Sequence, residues 1–503
     1  MSELSPENAT AVVAEAAIPS LRGTAMRLAR AFAVYGIANF GIRGLSFLLV
    51  LVYAHYLLPS DYGIIYMAEI VASFLMMLGN LSIDSALQRL YFQYAHDQET
   101  LRSYLGTTVR FGFCSTAILV TLTLLAGGRV QSHLLVSAGV AFYPYIAMAI
   151  ATALATQWVQ YRLAIYQAEQ RPASYAALSS FVFLITGAFC VYGVVFQHRR
   201  ALGMLEGKLT AIVLALLVAL WNMRTLLTAR FKWHFVRESL LFSLPLLPHL
   251  AMASGLIVAD RFILEHYRDL TEVGIYSLAY TLGMAMYVVT QSVAQAWLPM
   301  FFDLAGRNEE NGQLLGRICS GLVILLVAIA SIGMLISPLF VHLALDYRYR
   351  AAGSIVPLVI MGYLFHGVFT LLNVSIMQAK RTGFVFLVSL LAFTANMVLN
   401  FALIPKWGMD GAAWATTIAY GLEAAVAYIF AQHFLTLPYR LPENLTALAI
   451  AGTALGLTQS RWMSKWDGLI PVLYLFLVLA FLALIGGRDL RMTFRAIRKV
   501  PKV

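Results

Sequence analysis

Tyr62-Gly63-Ile64-Ile65-Tyr66-Met67-Ala68-Glu69 returns 211 residues later as Val273-Gly274-Ile275-Tyr276-Ser277-Leu278-Ala279-Tyr280. Further on, Tyr91-Phe92 falls on Phe302-Asp303 at that spacing, or on Phe301-Phe302 one residue earlier. An acidic turn follows in both copies, with Asp97 and Glu99 in the first and Glu309 and Glu310 in the second. Leu105-Gly106 then matches Leu315-Gly316, and Gly203-Met204-Leu205-Glu206-Gly207 matches Gly408-Met409-Asp410-Gly411 after one deletion. Repetition over this length in a very hydrophobic chain is how many transporters are built, and it predicts two similar lobes with a cavity between them.

The 503-residue chain is 60% hydrophobic and 12% charged, with a mean hydropathy of +0.77. Soluble domains carry about 25% charged residues, and the apolar runs here repeatedly reach the roughly 20 residues that span a bilayer. The chain therefore reads as an all-α integral membrane protein. Its first thirty residues are polar and rich in small side chains, without a short apolar core and cleavage site, and read as a cytoplasmic tail. Cys114, Cys190 and Cys319 fall inside apolar runs without paired spacing, as small core side chains do.

A net charge of +11 raises the question of nucleic acid, and the placement of the charge excludes it. Arg22, Arg27 and Arg30 precede the first span, and Arg488, Arg491, Arg495, Arg498, Lys499 and Lys502 follow the last. Basic residues flanking spans mark the cytoplasmic side, so both termini are expected on that side and the number of spans is even.

About fourteen transmembrane helices are expected. An N-terminal tail (1–30) leads into an N-lobe of six spans (31–223), near 31–57, 62–87, 104–127, 134–158, 174–196 and 201–223. A basic, aromatic-spaced linker (224–238) follows and reads as an amphipathic helix on the inner leaflet. The C-lobe (239–434) has spans near 239–264, 272–298, 315–345, 352–378, 383–404 and 411–434. Two trailing helices (435–486) and a basic tail (487–503) complete the chain. Six spans separate the two copies of the repeat, and an even number preserves direction, so the lobes are parallel pseudo-repeats. Pro245 and Pro248 fall in the seventh span, remove backbone donors there and mark a candidate hinge.

No nucleophile motif, glycine-rich phosphate loop or zinc spacing appears, so the informative residues are those that are costly where they stand. A charge at the bilayer centre costs at least about 2.5 to 3.5 kcal/mol and usually faces a cavity or a partner. Arg43 is twelve residues into the first span, with Asn39 one turn earlier on the same face. A guanidinium in a water-filled cleft suits a phosphate, which it grips through two parallel hydrogen bonds; the alternative is a pairing with Glu69 or Glu423. Arg110, in the third span, either extends that basic wall or snorkels, and Arg317 reads as a snorkelling anchor. Lys208 and Glu206 either neutralise each other or take other partners. Asp260 and Arg261 adjoin, but consecutive helix residues point about 100° apart, which predicts that one of them seeks a partner across the lobe interface, in a gate or a structural pairing rather than in binding a transported ion. His249, His366, Glu69 and Glu423 are candidates for titration in an ion-coupled cycle. Gln291 with Gln295, and Asn396 with Asn400, form polar stripes that serve either helix-to-helix bonding or sugar hydroxyls.

In order along the chain, several motifs resemble polysaccharide flippases of the Wzx type, in the multidrug/oligosaccharidyl-lipid/polysaccharide exporter superfamily. They are Gly44-Leu45-Ser46-Phe47 leading to Leu58-Pro59-Ser60-Asp61-Tyr62-Gly63, and Phe242-Ser243-Leu244-Pro245-Leu246-Leu247-Pro248 leading to Ala259-Asp260-Arg261-Phe262-Ile263-Leu264. Glu272 to Tyr280, Gln295-Ala296-Trp297-Leu298-Pro299 and Asn400 to Ala413 complete the set. The resemblance covers roughly residues 25–490. It implies two six-helix lobes, two trailing helices and a cationic central cavity that passes an undecaprenyl-pyrophosphate-linked oligosaccharide from the cytoplasmic to the periplasmic leaflet by alternating access.

In that reading Arg43, Asn39, Arg110, Gln291, Gln295 and Asn396 meet the cargo. Asp260, Arg261, Glu69, Glu423 and His249 serve the gate or ion coupling. No cofactor or metal is expected, and a proton or sodium gradient is the candidate drive. The partners are lipid-linked oligosaccharide, the bilayer, and a polysaccharide polymerase with its chain-length regulator. The alternative within the superfamily is an ion-coupled multidrug exporter, which favours an acidic lumen. A membrane glycosyltransferase or polymerase is disfavoured, because the long external loop with paired basic residues typical of such polymerases is missing from the sequence.

Overall fold

The structure is a computed structural model and describes residues 44–134, 140–227, 230–307 and 312–460. Both tails, Asn39 and Arg43, and the expected final span near 468–486 lie outside these residues, as does the side chain of His249. The described residues are helical throughout, without strands, as a lipid environment requires of a chain whose backbone groups must all be bonded within their own segment. Eight of the described helices are long and apolar enough to cross a membrane.

The first lobe contains α1 (Gly44–Tyr56), α2 (Pro59–Asn80), α3 (Ile83–Tyr94), α4 (Gln98–Leu134), α5 (Ala147–Ala168), α6 (Pro172–Val191) and α7 (Arg200–Leu227). A short helix, α8 (Trp233–Ser243), leads to the second lobe: α9 (Leu247–Tyr267), α10 (Leu270–Arg307), α11 (Gly312–Ala344), α12 (Ala352–Gln378) and α13 (Thr382–Phe434). Then comes α14 (Leu441–Gln459). The expected second span is broken at Leu81 and Ser82, both with positive φ, so α3 is a separate helix. Its amphipathic pattern suits the edge of the bundle.

At 53 residues α13 would measure about 80 Å if straight, far beyond a hydrocarbon core of about 30 Å. It turns back at Gly408, whose φ of 55° favours glycine, and so forms the two spans that the sequence separates at Pro405 to Gly411. The Glu272 carboxylate accepts the Met409 N–H at 3.1 Å, fixing this hairpin to the start of α10.

The repeat explains itself in the packing. A Cβ on Gly207 would lie 2.7 Å from backbone atoms of Phe189 and Cys190, and one on its counterpart Gly411 would lie 2.6 Å from the Leu403 carbonyl. In both lobes, glycine lets the outgoing arm of a helical hairpin rest on the incoming one. The first copy then meets the second: a Cβ on Gly63 would lie 2.0 Å from the Leu270 carbonyl oxygen, and one on Gly274 would lie 1.8 Å from that of Pro59. The repeated Gly-Ile motif is therefore the seam between α2 and α10, where small residues allow two backbones to touch.

The linker differs from its expected form. Its helix starts at Trp233 and runs through the 238/239 boundary to Ser243, ending in a 3-10 turn at Leu244–Leu246. It is not bare on the leaflet, since Phe235 is buried against Tyr94 and Tyr104 of the first lobe. Its Glu238 carboxylate accepts hydrogen bonds from Gln93 and Tyr94. Pro245 lies in the 3-10 turn and Pro248 in the first turn of α9, so the helical break falls between a segment docked on the first lobe and one packed in the second. Cys190 and Cys319 are buried, whereas Cys114 sits on the outer surface of α4, against the expectation of three buried thiols.

Candidate functional site

Contacts between the lobes gather at the Gly63 end of the bundle. The Tyr66 hydroxyl and Thr281 Oγ1 are 2.6 Å apart across the seam. The Tyr349 hydroxyl donates to the Leu57 carbonyl at 3.1 Å, and the Arg348 guanidinium donates to that of His55, also at 3.1 Å. Within the first lobe, Arg200 pairs with Asp61 at 3.0 Å and ties α7 to the start of α2. This end is closed by backbone contact and directional bonds.

Beneath the seam a cavity of about 580 Å³ runs along α2 from Glu69 to Asn80, Ser82 and Asp84. Thr152, Thr156 and Gln157 of α5, Thr186 of α6 and Lys208 of α7 form its other walls, and Ser254 of α9 faces it from the second lobe. Ser254 stands 211 residues after Arg43 and is thus its repeat counterpart. The Tyr161 hydroxyl donates to Asn80, whose amide in turn donates to Asp84 at 2.7 Å. Thr152 Oγ1 is buried without a hydrogen-bond partner among the described residues. Most of the rest of the wall is apolar, with Met76, Met77, Val182, Leu205 and Ile212 among it, so the polar groups form patches in a mixed lining.

Lys208 donates to Glu69 across the cavity wall. Of the two alternatives for Lys208 and Glu206, the structure takes the second: each has another partner, Glu206 turning to Arg199 at the closed end. Lys208 reaches the carboxylate that shares its wall. Glu69, like Glu423, is therefore already paired. In the described lining two carboxylates, Glu69 and Asp84, face one ammonium, Lys208; Arg43, on which the expected cationic cavity chiefly rests, lies outside the described residues.

Other candidates lie away from the cavity. The Arg110 Nε donates to its own helix at the Gly106 carbonyl, and its guanidinium lies 5.5 Å from the Phe231 ring, toward the linker. Gln291 is half-buried and Gln295 exposed on α10. Asn396 donates to Thr416 Oγ1 at 3.3 Å and accepts from Asn400 at 2.9 Å, bonding the two arms of α13 together.

The second lobe buries its charges. Asp260 and Arg261 pair with each other at 2.9 Å, which corrects the expectation of a partner across the lobe interface. The long guanidinium stem overcomes the 100° offset by folding back, and the Tyr276 hydroxyl holds the other carboxylate oxygen at 2.5 Å. Arg261 also lies 4.4 Å from the Tyr280 ring centroid. A second pair joins His366 Nδ1 to Glu423 at 3.2 Å. Sequence reading placed both residues among titratable candidates without joining them, because they stand 57 residues apart on different helices.

Fold and site together define a multi-pass, two-lobed helical membrane protein with an internal, partly polar cavity sealed at one end. Within that class, the chain belongs to the polysaccharide biosynthesis protein family, whose sequence profile matches residues 28–305. It is 20% identical over 440 residues to the probable low-salt glycan biosynthesis flippase Agl15 of Haloferax volcanii, covering 86% of this chain and 90% of that one. It is 23% identical over 288 residues to the Lsg locus putative protein 1 of Haemophilus influenzae, covering 55% and 67%. Its fold is similar to that of the lipid II flippase MurJ in an inward closed conformation, with a TM-score of 0.71, 15% identity and coverage of 91% of this chain and 99% of that chain. An outward-facing multidrug resistance MATE family transporter of the MOP superfamily aligns with a TM-score of 0.55 and 12% identity, over 82% and 95%.

Proposed function

We infer that the protein flips an undecaprenyl-pyrophosphate-linked oligosaccharide from the cytoplasmic to the periplasmic leaflet of a bacterial inner membrane. The observation that carries this reading is the partly polar cavity under a sealed seam, in a chain of the polysaccharide biosynthesis family. Basic tails orient both termini to the cytoplasm, which turns the Gly63 end to the periplasm and the Asn80 to Asp84 end of the cavity to the inner leaflet.

The sugars enter the aqueous cavity while the lipid tail stays in the bilayer. Lys208 contacts the pyrophosphate by exchanging its bond to Glu69 for one to the cargo, and Arg43, the repeat counterpart of the cavity residue Ser254, supplies a second cation. Opening of the Gly63–Gly274 seam, with bending at Pro245 and Pro248, then releases the cargo outward. The six-helix lobes at 31–223 and 239–434 are the moving bodies. Downstream, a polymerase with its chain-length regulator consumes the product.

The two carboxylates in the described lining favour one other reading, an ion-coupled exporter of cationic compounds, because an acidic wall attracts cations. The test is a strain lacking its own flippase, with surface polysaccharide as readout. Wild-type protein restores it and Lys208→Gln does not, while neither changes resistance to cationic dyes. Restored dye resistance without polysaccharide overturns the flippase reading in favour of the exporter.

A further inference from the structure

Among the described residues, three acid–base pairs inside the bundle differ in their bases. Glu69 is paired with a lysine and Asp260 with an arginine, cations that keep their proton throughout the physiological range. Glu423 is paired with His366, a base whose ordinary titration falls within that range. In a low-dielectric core a net charge is costly. The first two pairs join a carboxylate to a permanent cation, while the third joins one to an imidazole.

The surroundings of this third pair suit proton exchange. Glu423 keeps 4% of its side chain accessible and His366 keeps 22%, so the imidazole is the less enclosed member of the pair. Ser389 Oγ donates to the second carboxylate oxygen of Glu423 at 3.4 Å. From α13 the Tyr420 ring lies 5.1 Å from the imidazole, and from α10 Tyr287 lies 6.0 Å away. The Tyr280 hydroxyl interacts with those of Tyr363 and Tyr420, and behind them stand Arg261 and Asp260 from α9. From α11 and α14, the approach to α12 is made by Cys319, Asn444 and aliphatic side chains.

We propose that His366 and Glu423 form the proton-binding site that couples flipping to the proton gradient. Resting on the flippase reading, it adds the ion and its place. With one proton shared between His366 Nδ1 and Glu423 Oε2 the pair is neutral overall; when that proton passes to water, one negative charge remains in the core of the second lobe. Tyr280 adjoins Thr281, which touches Tyr66 across the seam, so the aromatic array places the charge change against the helix that closes the cavity. A proton taken up from the periplasm and released to the cytoplasm accompanies each cargo moved outward.

The first experiment needs no cargo. Full-length protein in vesicles is stepped from acid to alkaline buffer under infrared difference spectroscopy. Wild type shows a titrating carboxyl C=O band that Glu423→Gln lacks, His366→Gln shifts and Glu423→Asp restores; identical spectra for wild type and Glu423→Gln overturn the proposal. The second uses a fluorescent undecaprenyl-pyrophosphate-linked trisaccharide and an imposed pH step. One proton per cargo gives a leaflet ratio of about tenfold per pH unit in wild type, and Glu423→Gln gives equal leaflets. A variant that keeps the wild-type ratio overturns the coupling. If wild type moves no probe while the band behaves as described, the flippase reading fails and the proton site stands.

Discussion

The two lobes share a backbone plan and differ in where they put their charges. In the first, Glu69 and Lys208 form a pair that faces the cavity. At the corresponding places the second lobe has Tyr280, by the 211-residue spacing, and Ala412, after the deletion before Gly411. Both are buried. Its adjacent Asp260 and Arg261 are withdrawn into the core: Arg261 lies over Tyr280, and Asp260 is capped by Tyr276. One fold thus supplies one lobe whose ions are within reach of a ligand and another whose ions bind each other. Duplication preserved the glycines that permit helix contact, and divergence occurred in side chains that line or avoid the cleft.

The most damaging way to break this comparison is at the seam both lobes share. Gly274→Leu places a side chain where a Cβ already meets the Pro59 carbonyl at 1.8 Å. The cost exceeds the about 1 to 3 kcal/mol of ordinary overpacking because rigid backbone is the obstacle. We expect the protein to insert but the seam to stay apart. Disulfide formation in Tyr66→Cys/Thr281→Cys, efficient in the parent, should fall below detection when Gly274→Leu is added.

Next in size is the cavity pair. Lys208→Met leaves Glu69 uncompensated at a cost of about 1 to 3 kcal/mol, less than for a fully buried acid because Glu69 borders the cavity. Adding Glu69→Gln should return the melting midpoint in detergent to near wild type while transport stays lost. Recovery of transport in the double variant would make the pair a structural one, like that of the second lobe. There, Tyr276→Phe removes a hydrogen bond to a charged acceptor and should cost about 1.5 to 3 kcal/mol. Replacing both ions, as Asp260→Leu with Arg261→Met, should be close to neutral; a midpoint lowered as far as by Tyr276→Phe would give the buried pair more than a structural role.

The smallest effect lies outside the spans. Asp346 accepts from the Arg348 backbone N–H and guanidinium, and that bonding holds its carboxyl below the usual carboxylate range. A depressed value contributes stability above the ordinary carboxylate range, and the contribution is lost as pH falls toward the folded-state value. Asp346→Asn should lower the melting midpoint slightly at neutral pH and leave it unchanged in strong acid. Since Arg348 also reaches the His55 carbonyl, the same substitution should loosen the closed end, read as a modest drop in the 66–281 cross-link.

Much of this architecture was legible in the residues. The span over 352–378 coincides with α12, and the repeat announced two lobes, while the role of its glycines as a seam and as hairpin contacts came only from the packing. Boundaries failed where backbone conformation decided them. Leu81 and Ser82 adopt positive φ without glycine, so no residue type announced the break between α2 and α3. The site was less legible. Glu69 was named, but its partner Lys208 is 139 residues away, and Asn80, Asp84, Thr152 and Gln157 have no motif that reveals a shared wall. Arg110 and Asn396 were chosen for being polar in a span, and polarity alone does not say whether a side chain faces water, its own helix or a neighbour.

The sequence by itself determined that the chain crosses the membrane many times and that two parallel copies of one unit do so, because hydropathy and repetition are properties of order along the chain. It determined for the same reason that both copies carry the seam's glycines. Which charges meet was decided only by the tertiary structure. Adjacent Asp260 and Arg261 pair through a side chain that bends back, while Glu69 with Lys208 and His366 with Glu423 depend on the rotation and depth of separate helices. Rotation about a helix axis follows from packing over the whole lobe, and no local stretch of residues specifies it.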